Sequence, residues 1–198
     1  METALAADRI GAAGQVGEAT DAQIIRASRQ SPDRFGTLYD RYATVLYGYA
    51  CLRVGRVQAE DVVADTFLAA FAQRHRYDLA RASARPWLFG ILTNKIAERR
   101  RAETTHYRAY ARAWQSPVLE GIADRVADQV TAQARRGQLS AALSRLNPAD
   151  RHVLLLVAWA QLSYDEVAQA LGIPPGTVAS RLNRARRKVR AALDNENG

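Results

Sequence analysis

The strongest chemical signal in the sequence is a run of cations near its C-terminal end. Between Gly176 and Ala192 six basic residues occur without a single acidic one. They are Arg181, Arg184, Arg186, Arg187, Lys188 and Arg190. A solvated helix face would normally interleave Glu, which pairs with Arg and relieves its repulsion. Unbalanced positive charge of this kind favours a polyanionic partner, because Lys and Arg that neutralise phosphates release condensed counterions.

These cations lie on the second of two predicted helices that are joined by a short turn. Ser163 and Glu166 have the three-residue spacing of a capping box at the start of the first helix. Gly172 ends that helix and can adopt the left-handed backbone of a sharp turn. Val178 and Leu182 give the second helix an apolar inner face. This arrangement is a helix-turn-helix, whose second helix lies in the major groove of DNA.

Positions along the second helix predict two kinds of DNA contact. Ser180, Asn183 and Arg184 come early enough to reach base edges, whereas the later cations are more naturally phosphate clamps. The expected DNA-contacting residues are Thr177, Ser180, Arg181, Asn183, Arg184, Arg187 and Lys188. A merely soluble helix face is the alternative, and the absence of acidic residues disfavours it.

A second basic cluster lies in the middle of the chain. It consists of Lys95, Arg99, Arg100 and Arg101 and follows Asn94; the residues expected to contact DNA here are Asn94, Lys95, Arg99 and Arg100. Trp87 and Phe89 precede it on the same predicted helix. Positive charge beside aromatic rings and an amide can hold unstacked, single-stranded bases. The alternative is that the two aromatic residues belong to the core, which we expect for Trp87.

Three carboxylates, Glu60, Asp61 and Asp65, project from one predicted helix. They could be imagined as acid and base groups, but no nucleophile, glycine-rich loop or set of metal ligands accompanies them. The three histidines of the chain stand far apart, and its single cysteine cannot form an internal disulfide. The sequence therefore predicts no catalytic site, no metal and no cofactor.

Composition indicates a helical protein that acts on nucleic acid. The 198 residues carry a formal net charge of +8 and 48% hydrophobic residues, enough for one ordinary domain or two small ones. Ala-, Leu- and Arg-rich segments with few β-branched runs favour helices. Neither a signal peptide nor an apolar run long enough to span a bilayer is recognisable, so we expect a cytoplasmic protein without membrane insertion.

Hydrophobic spacing predicts three helices in the first half of the chain. Ser31 and Pro32 suit a helix start, and apolar residues recur at three- and four-residue intervals from Phe35 onward. Gly55 breaks this pattern, and a second helix follows. Its apolar positions are Val57, Val62, Val63, Phe67, Ala70 and Phe71. The polar stretch 73–85 is predicted to be a loop, and Pro86 opens the third helix.

The second half begins with a composition shift. Residues 103–138 have sparse apolar positions and are predicted to be a flexible linker with transient or partner-dependent helix. Asn147 and Pro148 then suit the start of a helix that precedes the helix-turn-helix. We therefore expect an all-α protein of two small domains, 31–102 and 139–198, preceded by a flexible tail at 1–30 that could include a short helix around 21–29.

Four segments resemble the extracytoplasmic-function group of bacterial sigma factors, and they occur in that family's order. Segments 59–67 (AEDVVADTF) and 86–94 (PWLFGILTN) resemble its core-polymerase-binding helix and its minus-ten helix. Segments 162–168 (LSYDEVA) and 176–182 (GTVASRL) are similar to its minus-thirty-five reader. The resemblance covers about residues 35–101 and 139–193. It identifies the two expected domains with sigma region 2 and region 4.

The resemblance implies a function and partners. Core RNA polymerase would be bound through its clamp, by Glu60, Asp61 and Asp65, and through its flap region. Promoter DNA would be bound both as duplex and in melted form, with Asn94 on the non-template strand and the loop 74–85 closing over a flipped base. The linker would thread toward the RNA exit region, and an anti-sigma protein could also bind. Ala179 departs from the family, which commonly has a basic residue there.

The main alternative is a helix-turn-helix regulator that binds duplex DNA without joining polymerase. Such a regulator would carry a dimerising or phosphoacceptor domain in place of residues 35–101, and a phosphoacceptor domain would be α/β with an acidic pocket. The sequence shows neither feature, so the sigma interpretation is preferred.

Overall fold

A computed structural model describes residues 19–113, 138–139 and 141–194. Within these ranges every regular element is helical, which confirms the all-α prediction. The longer helices are α1 (Asp21–Ser28), α2 (Gly36–Val54), α3 (Arg56–Gln73), α4 (Arg85–Ala113), α5 (Pro148–Ala158), α6 (Tyr164–Leu171) and α7 (Pro175–Asp194). Short 3-10 turns occupy Pro32–Phe35 and Arg74–Arg76.

Helices α2, α3 and α4 pack on one another and form the first domain. Gly55 separates α2 from α3 with a φ of 79°, in agreement with the predicted break. Ser31 makes no side-chain capping hydrogen bond, however, and Pro32 starts the 3-10 turn that precedes α2. The fully buried side chains at the centre of this domain include Leu38, Tyr49 and Leu92.

The structure corrects the expected extent of the N-terminal tail. Residues 21–28 form α1, and Ile24 and Ile25 are buried in the same core as α2 and α4. Thr20 caps this helix, and its hydroxyl and the side chain of Gln23 form a reciprocal capping box. The first domain therefore begins before residue 31, because a capped helix with two buried isoleucines is part of its core. The remainder of the expected tail, residues 1–18, lies outside the described residues.

Two further expectations about the first domain need correction. Helix α4 continues to Ala113, so the backbone at 103–113 is helical where a linker was predicted. The rest of the predicted linker lies outside the described residues, apart from 138. Val57 was predicted to be an inward position of α3 but is 92% exposed. It comes only two residues after Gly55, in the first turn of the helix.

The second domain follows its sequence signals closely. Asn147 caps α5 by accepting a hydrogen bond from the Asp150 backbone N–H at 2.8 Å, and Pro148 is the first helical residue. Ser163 and Glu166 form the predicted capping box of α6. Gly172 ends α6 in the left-handed conformation, with φ 63° and ψ 38°. Helix α7 packs against both α5 and α6, which completes the helix-turn-helix.

The two domains pack against each other and share one hydrophobic core cluster. Helix α4 of the first domain lies against α6 of the second. At Gly90 the approach is so close that an added Cβ would come within 2.5 Å of the Ala170 carbonyl oxygen. The indole of Trp159 reaches across to Gly48 and Tyr49, with a ring separation of 5.9 Å from Tyr49. We call this packing of α4 on α6 the closed arrangement.

Two classes of feature are missing from the part of the chain that the structure describes. No helix there combines the length and apolarity that crossing a membrane requires. No group of three or more His, Cys, Asp or Glu side chains there is placed to hold a metal ion.

Candidate nucleic-acid interface

Helix α7 presents a basic face to solvent. Its buried side is formed by Val178, Leu182 and Ala185, which are all fully buried. The exposed residues between Ser180 and Arg190 are Ser180, Asn183, Arg184, Arg186, Arg187, Lys188 and Arg190. Thr177 and Arg181 are half-buried. Most of the predicted DNA-contacting residues thus lie on the outer side of a helix whose inner side is pinned to α5 and α6.

Hydrogen bonds to the Pro174 carbonyl stabilise the first turn of α7. The Pro174 carbonyl accepts hydrogen bonds from the backbone N–H groups of Thr177 and Val178, at 2.9 and 3.2 Å. The Ser180 hydroxyl donates to the Thr177 carbonyl at 3.1 Å, which leaves the hydroxyl oxygen free to accept. A hydroxyl and an amide in the first turns of an exposed helix can read base edges in a major groove.

Arg184 differs from its neighbours because it is held by a buried carboxylate. Its Nε and one terminal nitrogen each donate to Asp150 at 2.8 Å, and Asp150 is completely buried. The Asn147 amide donates to the same carboxylate at 2.9 Å. The Arg184 hydrogen bonds, aided by its charge, lower the pKa of Asp150 despite the opposing effect of burial. This pair ties α7 to the start of α5, a role that sequence reasoning did not assign to Arg184.

The sequence did not reveal Asp150 as the partner of Arg184, because a local role already accounts for an acidic residue at this position. It stands three residues after Asn147, in the first turn of α5, where an acidic residue is expected to favour the helix dipole. The helix dipole of α5 therefore explains this acidic residue without a long-range partner. The base-reading role of Arg184 stays a prediction, and its remaining terminal nitrogen would have to carry it.

The residues predicted to contact minus-ten DNA are spread around α4 and point to different neighbouring elements. Asn94 is exposed, whereas Lys95 pairs with Glu98 at 3.0 Å. Arg100 donates to the Arg53 carbonyl at the end of α2. Arg99 lies 3.3 Å from Asp61, a surface pair that water screens strongly. Phe89 is fully buried and Trp87 is half-buried, so the aromatic pair serves mainly the core.

The acidic face of α3 carries apolar residues that the sequence did not single out. Glu60, Asp61 and Asp65 are all exposed, as predicted. Leu68 and Val57 lie on the same helix and are 67% and 92% exposed. Large exposed aliphatic side chains beside carboxylates are typical of a surface that binds another protein. The signal that could have revealed Leu68 is its position three residues after Asp65, on the same side of the helix.

The closed arrangement brings the two predicted DNA-contacting surfaces together. Asn94 of α4 and Arg181 of α7 line one cleft of about 450 Å³, together with His152. Burial and the nearby guanidinium groups lower the pKa of His152 to about 3, so its ring is neutral at physiological pH. The positive charge in the lining of the cleft is therefore that of Arg181. Thr93, one residue before Asn94, is buried in the same contact region.

Comparison with protein families matches the two domains separately. Residues 38–105 match Sigma-70 region 2, and residues 136–189 match Sigma-70, region 4. The first match covers α2, α3 and most of α4, and the second covers α5, α6 and most of α7.

Individual relatives agree with this assignment. RNA polymerase sigma factor NccH of Alcaligenes xylosoxydans is 31% identical over 170 residues, or 85% of this chain and 91% of NccH. The ECF RNA polymerase sigma factor SigL of Mycobacterium tuberculosis is 34% identical over 158 residues, or 79% of this chain and 86% of SigL.

Solved structures show the same architecture. CnrH, solved in complex with the cytosolic domain of CnrY, has a TM-score of 0.64 and 27% identity, and the alignment covers 88% of this chain and 97% of CnrH. RpoE of Bartonella quintana, solved with the anti-sigma factor NepR, has a TM-score of 0.63 at 24% identity over 81% of this chain and 96% of RpoE, which shows likeness of fold alone. On these grounds the chain belongs to the sigma-70 family and is an RNA polymerase sigma factor of the extracytoplasmic-function group.

Proposed function

We propose that this sigma factor reads the minus-thirty-five element with α7, captures melted minus-ten DNA with α4 and the loop before it, and binds the polymerase clamp with α3. The observation that carries the proposal is the outer face of α7, where five exposed cations and the half-buried Arg181 occur without an acid between Gly176 and Ala192. Such a face suits a phosphate backbone, because each neutralised phosphate releases condensed counterions.

The residues on α7 divide into two groups under this proposal. Thr177, Ser180 and Asn183 contact base edges, because they lie in the first turns and have hydrogen-bonding side chains. Arg187 and Lys188 are exposed further along and contact phosphates. Arg181 supports the base contacts from its half-buried position, and Arg184 orients the helix through Asp150.

The first domain supplies the contacts to polymerase and to single-stranded DNA. Asp65, Glu60 and Asp61 on α3 would meet basic groups of the clamp, with Leu68 buried between the two proteins. Asn94, together with the cations Lys95, Arg99 and Arg100, would hold the non-template strand. The contacts of Lys95 and Arg99 with Glu98 and Asp61 are surface pairs that a phosphate could displace.

The closed arrangement cannot contact both promoter elements at once. Elements centred near minus ten and minus thirty-five are about 25 base pairs apart, or about 85 Å at roughly 3.4 Å per pair. Asn94 and Arg181 line a single cleft instead. The domains would therefore separate when the factor joins polymerase and promoter. CnrH was solved in complex with the cytosolic domain of CnrY and RpoE with the anti-sigma factor NepR, which supports an anti-sigma protein that holds the closed arrangement as a partner of this chain.

The factor itself would carry out no chemistry. In its proposed role the polymerase supplies catalysis, and the sigma factor contributes only binding, positioning and strand capture, without a metal or cofactor of its own. It would act in the cytoplasm, where polymerase and promoter are found. A regulator that binds duplex DNA without polymerase is not favoured, because the region 2 match covers the first domain.

The test is transcription with purified core polymerase. Run-off transcription on genomic fragments first locates a promoter that the factor recognises. Asn94→Ala should then lower transcription from the closed duplex more than from a template with a pre-opened minus-ten bubble, because the duplex also requires strand capture. Equal losses on both templates would remove Asn94 from promoter melting. No transcription of any fragment by the wild-type holoenzyme would contradict the proposed function.

A further inference from the structure

The loop between α3 and α4 is held at both of its ends by α1. This loop, residues 74–84, starts with the 3-10 turn Arg74–Arg76 and ends where α4 begins. Helix α1 lies more than forty residues earlier in the chain, and its first residue, Asp21, and its C-cap residue, Arg29, reach opposite ends of the loop. Local sequence could not reveal these contacts, because each joins residues that are far apart in the chain.

Asp21 holds the end of the loop. It is 4% exposed, and one of its carboxylate oxygens accepts a hydrogen bond from the Ala84 backbone N–H at 2.7 Å. The same oxygen accepts from the Tyr42 hydroxyl at 2.5 Å, and the other oxygen accepts from Arg41 at 2.8 Å. Burial and the hydrogen bond to Asp21 raise the pKa of Tyr42 to about 12, so that the phenol stays a donor. The carboxylate is therefore fully satisfied only when the loop is in place.

Arg29 holds the start of the loop. One of its terminal nitrogens lies within hydrogen-bonding distance of three loop carbonyls, those of Arg74, His75 and Tyr77, at 3.3, 3.3 and 3.2 Å. Arg74 returns the contact by donating to the Ser28 carbonyl of α1 at 3.3 Å. A guanidinium nitrogen that contacts several carbonyls of one short segment restricts the path of that segment's backbone.

Between these two ends the loop is braced by its own side chains. The Tyr77 hydroxyl lies 2.8 Å from the Arg81 carbonyl and 2.9 Å from the Ser83 carbonyl. Asp78 accepts hydrogen bonds from the Ala80 backbone N–H at 3.0 Å and from the Arg81 side chain at 3.2 Å, and these two hydrogen bonds lower the pKa of Asp78. The Tyr77 ring packs on Trp87 of α4 with 5.0 Å between the ring centroids. The loop is thus a preformed shape whose two ends depend on α1.

From these contacts we infer that α1 is a brace for the capture of unpaired promoter DNA, with Asp21 and Arg29 as positioning residues. The inference rests on the proposed function, in which this loop closes over a flipped base. A loop that is ordered before DNA arrives binds the base without first losing conformational entropy. Without the brace the loop would reach the competent shape only part of the time. Apparent affinity falls by that fraction, so a loop that is competent about a tenth of the time binds about tenfold more weakly.

The experiment uses the full-length factor assembled with core polymerase. Arg29→Ala and Asp21→Ala remove the two anchors separately, and Arg29→Lys keeps the charge and one donor at the first anchor. Arg26→Ala is the matched control, because Arg26 is an exposed cation on the same helix. The probe is a fluorescent single-stranded oligonucleotide with the minus-ten non-template sequence of a promoter mapped by run-off transcription. Association with core enzyme, binding of the minus-thirty-five duplex and thermal unfolding are measured in parallel.

If α1 positions the loop, loss of either anchor should weaken oligonucleotide binding selectively. Arg29→Ala and Asp21→Ala should weaken oligonucleotide binding by about threefold to tenfold, and Arg29→Lys should recover part of the loss at the first anchor. Core association and duplex binding should stay at the wild-type level, and Arg26→Ala should match wild type in every assay. A merely structural role for α1 would instead lower the Tm and weaken core association in parallel with oligonucleotide binding.

The experiment distinguishes an incorrect role for α1 from an incorrect proposed function. If Asn94→Ala weakens oligonucleotide binding and both anchor variants bind like wild type, the brace is wrong and strand capture by the first domain stands. If the wild-type holoenzyme does not bind the oligonucleotide at all, the proposed function of this surface is wrong. Parallel losses in all assays for Arg29→Ala as well as Asp21→Ala would also overturn the brace.

Discussion

Gly90→Ala should open the closed arrangement. An added Cβ at this position would lie 2.5 Å from the Ala170 carbonyl oxygen and 3.3 Å from the carbonyl carbon. The obstacle is backbone, so it cannot rotate away as a side chain could. Ordinary van der Waals contact needs about 3.4 Å or more, so α4 and α6 would have to separate by roughly 1 Å in a close-packed interface. Overpacking of this kind costs about 1–3 kcal/mol.

That cost falls on the closed arrangement alone. Alanine is also the better helix former by about 1 kcal/mol, but α4 is a helix whether the domains are packed or apart, so this gain cancels. A penalty of about 1–3 kcal/mol therefore raises the ratio of open to closed molecules by about 5- to 150-fold. If the closed arrangement excludes polymerase, apparent affinity for core enzyme rises with the open fraction.

The assay is energy transfer between dyes on the two domains. After Cys51→Ser, the exposed Ala64 and Ala191 can be changed to Cys and labelled. Gly90→Ala should move molecules from the short-distance to the long-distance population. Gly36→Ala is the control for the substitution itself, because it adds the same methyl group at the start of α2 and its Cβ meets nothing within 4 Å. Gly48→Ala should have a smaller effect, since its Cβ would lie 2.9 Å from the movable indole of Trp159.

Two results would refute this reasoning. An unchanged distance distribution for Gly90→Ala would mean that α4 and α6 do not pack in this way in solution. An equal shift for Gly90→Ala and Gly36→Ala would mean that the contact of Gly90 with Ala170 does not control the packing of the domains. Core-binding measurements on unlabelled protein then show whether separation of the two domains raises the affinity for core polymerase.

Three further predictions concern individual surfaces. Arg184→Ala should lower the Tm at neutral pH more than Arg187→Ala does, because it leaves the buried Asp150 without its main partner. The pKa of Asp150 is lowered in the folded protein. The stabilisation that the Arg184–Asp150 pair provides is therefore present above the unfolded pKa of about 3.9 and is lost as the pH falls through the folded pKa. A Tm difference between the two variants that persists unchanged at low pH would contradict this. Asp65→Lys and Leu68→Asp should each weaken co-elution with core polymerase while helical content is kept, with Asp165→Lys on the exposed surface of α6 as the control; wild-type co-elution would remove this face of α3 from the polymerase interface. Arg187→Ala should weaken duplex binding to all minus-thirty-five variants alike and flatten the salt dependence by about 0.9 per contact; a changed ranking of single-base variants would instead make Arg187 a base reader.

The sequence by itself determined the local features of this protein. Asn147 and Ser163 as helix caps, Gly55 as a break and Gly172 as the left-handed end of α6 were all predicted from residues that interact with near neighbours in the chain. The cation-rich face of α7 followed from spacing, because a helix with an apolar stripe must expose its other side. Such features depend on hydrogen bonds and periodicity over a few residues, which the order of amino acids specifies directly.

Tertiary structure decided which distant groups meet. The pairing of Arg184 with Asp150 joins positions 34 residues apart, and the bond from Asp21 to the Ala84 backbone spans 63 residues. Local reasoning had explanations for Asp150 as a first-turn acid and for residues 21–28 as a possible short helix in a tail, so neither long-range partner was sought. The approach of Gly90 to Ala170 likewise depends on how two domains pack. Contacts of this kind arise when whole helix faces are buried together, and no spacing within a single helix encodes its partner.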